Sequence, residues 1–395
     1  MRFLTLFTIC AFALLQPLSQ SAVAQNEQAV IVTIRNTAPL SGTFQTPVWV
    51  GFHGGEFDIY DRGVPASDLP IPGSVALERI AEDGNTAELS MDFDVVSPNG
   101  VQETVLSNVP GRPPLAPRDR VARLYRLNPD EHRYFSYSSM VIPSNDAFVA
   151  NGNPLAHQIF DASGNFVAQS FNVNGDEVLD AGTEINDEVP ANTAFFGQMA
   201  PNTGVDENGN VMLHPGFLPA AAGGILADPM FANADFLASN YRNMVVRFGR
   251  LNLNRSNRFN GMLTTDAEVD PPVVDGIPFG FGLTRTNTAN ESLSYLIFAT
   301  GLSGRPTAAH LHVGLANTNG PVVVDLIENG RLFGFQGQFF IFGEIDADAL
   351  VGPTAATAAP FDTLLAELAT RGIYVNVHTA QNPAGEVRGQ LSFTR

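Results

Sequence analysis

Short apolar runs that alternate with polar residues recur along the whole chain, and glycine or proline separates them. Residues 30–34 (VIVTI) and 292–299 (SLSYLIFA) are two examples. Alternation with a period of two buries one face of a β-strand, and Gly, Pro and Asn end such strands in turns. The sequence has 395 residues with 36 Gly and 27 Pro, which is long for one ordinary domain. These features predict an all-β protein of two domains in tandem, built from many strands joined by turns with a few short helices.

The first 24 residues have the features of a cleaved secretory signal peptide. Arg2 precedes an apolar run at residues 3–15, and Ala22 and Ala24 form a small-x-small cleavage site. We therefore expect a mature protein that is secreted or periplasmic. The one cysteine, Cys10, lies in the signal segment, so no disulfide can stabilise the mature chain. No later apolar run is long enough to predict a membrane span.

The chain is strongly acidic, with a formal net charge of -19. This charge disfavours nucleic acid and anionic membrane surfaces as partners, but a cation would be attracted. Residues 171–190 (FNVNGDEVLDAGTEINDEVP) hold six carboxylates and no Lys or Arg. Such a density suggests Ca²⁺, which takes oxygen ligands from irregular loops, although a solvated acidic loop is the alternative. The spacing does not fit an EF-hand, because Glu177 stands where that loop requires glycine.

The first domain, residues 28–252, resembles the bacterial form of the spondin N-terminal domain. The resemblance is carried by PVWVGFHGGEFDIYDRG with LERIAEDG, by SSMVIPSNDAFV, and by DAGTE at residues 180–184. It implies a C2-like β-sandwich in which acidic loops at one end bind calcium. Carried over by position, it assigns Asp146, Asp180 and Glu184 as the Ca²⁺ ligands. Three substitutions depart from the family pattern: Ala147 replaces a tryptophan, Asn145 replaces a proline, and Glu184 replaces an aspartate.

The second domain, residues 258–395, resembles the CHRD domain first described in chordin. AAHLHVG, NGPVVVDL, YVNVHT and NPAGEVRGQL occur in that family's order. The resemblance implies an immunoglobulin-like sandwich with one helix, here at residues 361–370, and it implies no established catalytic activity.

Three histidines of the second domain form a candidate metal site. His310 and His312 are two apart on a predicted strand and share a face, and His378 on another strand could join them. Three neutral imidazoles would suit Zn²⁺ or Cu²⁺. In the alternative interpretation, each imidazole bonds a neighbouring backbone group or Glu386 and serves the structure only.

The sequence lacks the motifs of common enzymes, including Gly-x-Ser-x-Gly and His-Glu-x-x-His, and the mature chain has no cysteine nucleophile. We therefore predict a non-enzymatic, exported adhesion protein that binds an extracellular protein or surface polymer, with calcium in its first domain. The alternative is a Zn²⁺ or Cu²⁺ enzyme centred on His310, His312 and His378. The oligomeric state is left open by the sequence.

Overall fold

The computed structural model describes residues 27–287 and 291–394. The predicted signal peptide, residues 1–24, lies outside this range. Within the described ranges, none of the helices combines the length and the hydropathy that crossing a membrane requires.

The first domain contains eleven strands and two α-helices in its described part. The strands are β1 Gln28–Asn36, β2 Phe44–Gln45, β3 Val48–His53, β4 Val101–Val105, β5 Arg120–Leu127, β6 Tyr134–Ile142, β7 Ala147–Ala150, β8 Phe171–Asn174, β9 Leu179–Asp180, β10 Met212–Leu213 and β11 Arg242–Leu251. The helices are α1 Ala76–Asp83 and α2 Ala87–Val96.

These strands form two sheets that enclose one core. The first sheet has the order β5-β1-β11-β8, and the second has the order β10-β9-β7-β6-β3-β4, with β2 paired to β6. Alternation along β1 directs Val30, Val32 and Ile34 into the core between the sheets. On the opposite side of that core, the rings of Phe52 and Phe135 lie 5.3 Å apart. The arrangement is the predicted β-sandwich.

The two helices pack beside Trp49, which is fully buried among Phe57 and Phe93. Helix α1 ends at Gly84, whose φ of 64° is the left-handed conformation that glycine favours. Helix α2 is not predicted by the sequence. Its apolar residues bury only Leu89 and Phe93, so it lacks the regular apolar stripe that would identify it.

The second domain contains ten strands and two α-helices in its described part. The strands are β12 Arg258–Thr264, β13 Phe279–Asn287, β14 Ser292–Thr300, β15 Pro306–Val313, β16 Val322–Asp325, β17 Gly330–Phe335, β18 Gln338–Ile345, β19 Ile373–Thr379, β20 Val387–Gln390 and β21 Ser392–Thr394. The helices are α3 Gly352–Ala355 and α4 Pro360–Ala369, the latter at the predicted position.

All ten strands belong to one hydrogen-bonded sheet, in the order β16-β15-β19-β20-β12-β13-β14-β18-β17, with β21 paired to β12. Residues from distant parts of this sheet, such as Ile297 of β14 and Leu311 of β15, share one buried core. The Tyr295 hydroxyl of β14 donates to the carbonyl of Leu326, just after β16, at 2.7 Å. The sheet therefore folds over itself as a sandwich, and the all-β prediction is confirmed.

The two domains are packed against each other. The outer face of the first sheet presents Ala29, Ile31, Leu124 and Leu251, which belong to the same buried apolar cluster as the α4 side chains. Because α4 lies against β5, the domains share part of one hydrophobic core.

Candidate metal site

The sheet pairing brings the three predicted histidines together. His310 and His312 lie on the same face of β15, and β19 pairs with β15 so that Ala308 is opposite His378 and His310 is opposite Asn376. One ring nitrogen from each histidine lies within 4.8 Å of the other two. The closest pair, His310 Nδ1 and His378 Nε2, is separated by 3.1 Å.

Two of the imidazoles are oriented by hydrogen bonds at the ring nitrogen that faces away from the cluster. His312 Nδ1 donates to the carbonyl of Gly320 at 2.8 Å, and His378 Nδ1 donates to the carbonyl of Pro383 at 3.1 Å. A carbonyl oxygen can only accept, so each Nδ1 carries the proton and each Nε2 keeps its lone pair. Both Nε2 atoms are the ones that face the cluster.

Asp325 lies beside the third histidine. Asp325 of β16 is directly opposite His310 of β15, and the Asp325 Oδ2 atom is 3.6 Å from His310 Nε2. Because His378 Nε2 carries a lone pair, the 3.1 Å contact between the two rings is a hydrogen bond donated by His310 Nδ1. When a metal ion binds, Asp325 would accept the His310 proton at Nε2, and all three inward nitrogens would then offer lone pairs.

Burial disfavours the charged form of two of these imidazoles, His312 and His378. His312 and His378 are 9% and 8% exposed, and burial lowers the pKa of His312 to about 4 and lowers that of His378 as well. His312 Nε2 is buried without a hydrogen-bond partner in the described part of the chain. A buried nitrogen with a free lone pair needs a partner, and a metal ion is one that could supply the missing contact.

An aromatic and a cationic side chain fix His312 from its other side. The Tyr374 ring stacks on the imidazole at 4.8 Å with an interplanar angle of 5°, and the Arg388 guanidinium lies 3.5 Å from the centre of the Tyr374 ring. The amide of Gly320 donates to the Tyr374 hydroxyl at 3.0 Å. Tyr374 thus holds both the imidazole and the loop whose carbonyl orients it.

The alternative interpretation, in which the three histidines serve the structure only, agrees with only part of these contacts. His312 and His378 do bond backbone carbonyls, but within residues 27–287 and 291–394 Glu386 has no histidine partner, because its carboxylate accepts from Ser303, Thr379 and Asn382. For Zn–N bonds of about 2.0–2.1 Å, tetrahedral geometry places ligand nitrogens about 3.3 Å apart. The observed 3.1 Å between His310 and His378 is near that spacing.

The structure also brings the predicted calcium ligands to one corner of the first domain. Asp146 Oδ2 accepts from the amides of Thr183 and Glu184 at 2.8 and 3.1 Å. Ala147 of β7 is directly opposite Asp180 of β9. Asp146 therefore holds the acidic stretch against the sheet.

The carboxylates in this corner are buried and uncompensated. Asp146 Oδ1, Glu184 Oε2 and Glu82 Oε2 lack hydrogen-bond partners, and no ion pair to these groups or to Asp180 occurs in the described residues. Burial raises the pKa of Asp146 and Glu184 to about 7 and that of Glu82 to about 8, and it also raises the pKa of Asp180. Glu82 comes from α1, and sequence spacing gives no indication of its place here.

The acidic oxygens do not converge as the imidazoles do. In residues 27–287 and 291–394, the group of three ligand atoms within 4.8 Å of one another is the histidine group, and Asp146, Asp180 and Glu184 form none. Asp180 instead accepts from the amide of Gly182 at 2.7 Å and from Asn186 Nδ2 at 2.6 Å. The three acids share a corner without forming a ready coordination shell.

Comparison with known proteins identifies one part of the chain. Residues 259–391 match the model of the CHRD domain family, so the predicted CHRD domain is confirmed there. No family match supports the predicted spondin N-terminal domain in the first part of the chain. No curated protein and no solved structure matches the sequence.

Proposed function

We propose that this protein is an exported binding protein whose CHRD domain holds a Zn²⁺ or Cu²⁺ ion through His310, His312 and His378. One observation carries the proposal: one ring nitrogen from each of the three histidines lies within 4.8 Å of the other two. The hydrogen bonds from His312 to Gly320 and from His378 to Pro383 support it, because they point the free nitrogens inward.

A purely structural role explains this arrangement less well. In such a role each imidazole would satisfy both of its nitrogens within the protein, but His312 Nε2 is buried with no partner in the described residues. The donor set also selects the class of metal. Neutral imidazoles suit Zn²⁺ and Cu²⁺, whereas Ca²⁺ requires oxygen ligands.

Three protein ligands leave a coordination position for an external group. The His310 side chain is 19% exposed, so the site can be reached from solvent. In a binding protein, a side chain of an extracellular partner would fill that position. In the metalloenzyme alternative, water and substrate would exchange there, and metal-dependent turnover would distinguish the two functions.

Metal titration of the purified protein tests the proposal. We expect one Zn²⁺ or Cu²⁺ per chain, with the affinity falling at least about 100-fold in His312→Gln, because that change removes one of three ligands. The matched control is His157→Gln, which alters a half-buried histidine of the first domain that stacks on Phe171. Equal affinity in both variants would contradict the assignment, as would the absence of stoichiometric metal in the unaltered protein.

A second function, adhesion to an extracellular protein or surface polymer through a calcium-ordered end of the first domain, is favoured by the unpaired carboxylate oxygens. Asp146 Oδ1 and Glu184 Oε2 are buried without partners, and a cation would satisfy both. Because the acidic oxygens do not converge within 4.8 Å, backbone carbonyls and water would complete the shell. This candidate agrees with the spondin-like motifs of the sequence.

Calcium binding is measured by thermal unfolding with and without Ca²⁺. An ion present at 100 times its dissociation constant stabilises the folded state by about 2.7 kcal/mol. We expect this stabilisation in the unaltered protein and its loss in Asp146→Asn. Asp176→Asn, in an exposed part of the same stretch, is the matched control. Identical calcium responses in both variants would exclude Asp146 as a ligand.

A further inference from the structure

A cleft of about 1110 Å³ lies at the junction of the two domains. The outer face of β1, β5 and β11 forms one wall, and Leu315, Thr370 and Phe393 of the second domain contribute to the other. Ligand sites occur preferentially at such domain junctions. None of the candidate metal ligands lines this cleft, so ligand binding here would be independent of the proposed metal site.

The cleft has the opposite charge to the rest of the protein. The sequence has 40 acidic and 21 basic side chains, and every basic one is arginine. The lining nevertheless contains six arginines and a single acidic residue, Glu27. The six are Arg35, Arg120, Arg126, Arg247, Arg250 and Arg255.

Four of these six arginines have no counter-ion in the described part of the chain, and one of the four, Arg250, donates to Gln28 and lies over the ring of Phe166. Arg120 and Arg126 form ion pairs with Glu367 and Asp362. The side chains of Arg35, Arg247 and Arg255 are exposed, and they show no ion pair or hydrogen bond to the described residues. The protein as a whole has a net charge of -19. An uncompensated positive surface on such a protein attracts anions, so it is a candidate anion-binding site.

Strand register places like charges next to each other in this cleft. Arg35 of β1 is directly opposite Arg120 of β5, and Thr33, two residues before Arg35, is opposite Arg247 of β11. Like charges directly opposite on neighbouring strands destabilise a sheet. Glu367 compensates Arg120, but Arg35 has no such partner among the described residues. An anion bound between Arg35 and Arg247 would compensate both of these unpaired charges.

We propose that the cleft binds a segment of carboxylate-bearing polysaccharide. The planar guanidinium of arginine matches a carboxylate in a two-point contact. The other lining groups suit sugars: Asn252 and Asn254 offer amides to hydroxyl groups, and the ring of Phe393 offers apolar surface. The volume of about 1110 Å³ exceeds the needs of a single small anion.

Titration of the full chain with a galacturonate hexamer tests this inference. We expect binding that weakens from 50 to 200 mM salt, and no binding of the methyl-esterified hexamer, which lacks the charges. The double variant Arg35→Gln/Arg247→Gln should bind the hexamer at least about tenfold more weakly. Arg331→Gln, an exposed arginine outside the cleft, should bind normally. Both altered arginines are exposed, so thermal unfolding should show that the double variant remains folded.

Three results would overturn the inference. These are equal binding of the charged and esterified hexamers, unchanged affinity in the double variant, and binding of monomeric galacturonate as tight as that of the hexamer. The last result would identify a site for small anions only. Because His312→Gln leaves the cleft unaltered, hexamer binding in that variant separates this inference from the proposed metal site.

Discussion

Arg120 of the first domain and Glu367 of the second form a buried ion pair across the domain junction. Arg120 Nη1 lies 2.6 Å from Glu367 Oε2, and Glu367 has no exposed surface. The other carboxylate oxygen accepts from the amide of Ala122 at 2.8 Å and from Asn108 Nδ2 at 2.9 Å, both also in the first domain. One side chain of α4 therefore satisfies three donors of the neighbouring domain.

Glu367→Ala should destabilise the folded chain by about 3–5 kcal/mol, because it leaves a buried guanidinium without its counter-ion. The amide of Ala122 would also lose its acceptor. Chemical denaturation would measure the free energy of unfolding, and separate transitions for the two domains would report their uncoupling.

The control is Asp362→Ala, which breaks the other junction pair. Its partner Arg126 has a side chain that is 40% exposed, so the expected loss is only about 0–1 kcal/mol. A double change, Arg120→Met with Glu367→Leu, should recover most of the stability that Glu367→Ala loses. Similar losses in Glu367→Ala and Asp362→Ala would refute the role assigned to the buried pair.

Asp325→Asn should weaken Zn²⁺ binding about 10–100-fold without removing a ligand, since carboxylates behind metal-binding histidines have effects of this size. The Oδ1 atom accepts from the amides of Ile327 and Glu328 at 2.9 and 2.8 Å, and the asparagine oxygen can retain those bonds. The new amide group would then face His310 Nε2 as a donor and disfavour its protonated form. Competition with a chromophoric chelator measures the affinity.

Glu328→Gln, at an exposed neighbouring position, is the control for this change. A steeper fall of Zn²⁺ affinity with decreasing pH in Asp325→Asn than in the control would indicate an altered imidazole protonation. Equal affinities at every pH would show that Asp325 does not position His310.

The fold and the histidine face could be predicted because they depend on local periodicity. Alternation places His310 and His312 on one face of β15, and it also identifies β1 and β14. The place of His378 depends instead on the register between β15 and β19, which sets Ala308 opposite it. That register is a tertiary property, and one strand's pattern does not contain it.

The groups that orient the three histidines could not be predicted from the sequence for the same reason. Asp325 meets His310 only through cross-strand pairing, and Gly320 and Pro383 act through backbone carbonyls, which leave no trace in residue type. In the first domain, Glu82 reaches the acidic corner from α1, a helix far away in sequence. Asp146 was identified from a resemblance, and its bonds to Thr183 and Glu184 require the folded chain.

His312→Gln should reduce the acid sensitivity of the metal-free protein. Burial lowers the pKa of His312 to about 4 in the folded state, against about 6.5 when unfolded. Between these pH values the unfolded chain binds the extra proton, so stability falls as the pH falls from 6.5 to 4. As the pH falls over this interval, the free energy of unfolding of the unaltered protein should decrease by about 2–3 kcal/mol more than that of the variant. Denaturation at pH 7 and pH 4.5 measures the difference, and equal losses would contradict the buried neutral imidazole.

Glu184→Gln should have the opposite pH dependence in the calcium-free protein. Burial raises the pKa of Glu184 to about 7 when folded, against about 4.3 when unfolded. The folded state then binds the Glu184 proton more tightly than the unfolded state does, and this difference stabilises the fold. The stabilisation is complete below pH 4.3 and is lost as the pH rises through 7. Glutamine stays neutral and can still accept from the amide of Gly204. The variant should therefore gain about 1–3 kcal/mol over the unaltered protein between pH 5 and pH 9.

Saturating Ca²⁺ at pH 9 tests whether the buried Glu184 carboxyl is a calcium ligand or a structural group that binds no ion. If the ion binds there, calcium should stabilise the unaltered protein and cancel the advantage of Glu184→Gln, because only the carboxylate offers a charged ligand. Glu207→Gln, an exposed position nearby, should follow the unaltered protein at every pH. Parallel stability curves for Glu184→Gln and the unaltered protein would show that Glu184 ionises freely in the fold, and the acidic corner would then lose its strongest physical reason to bind a cation.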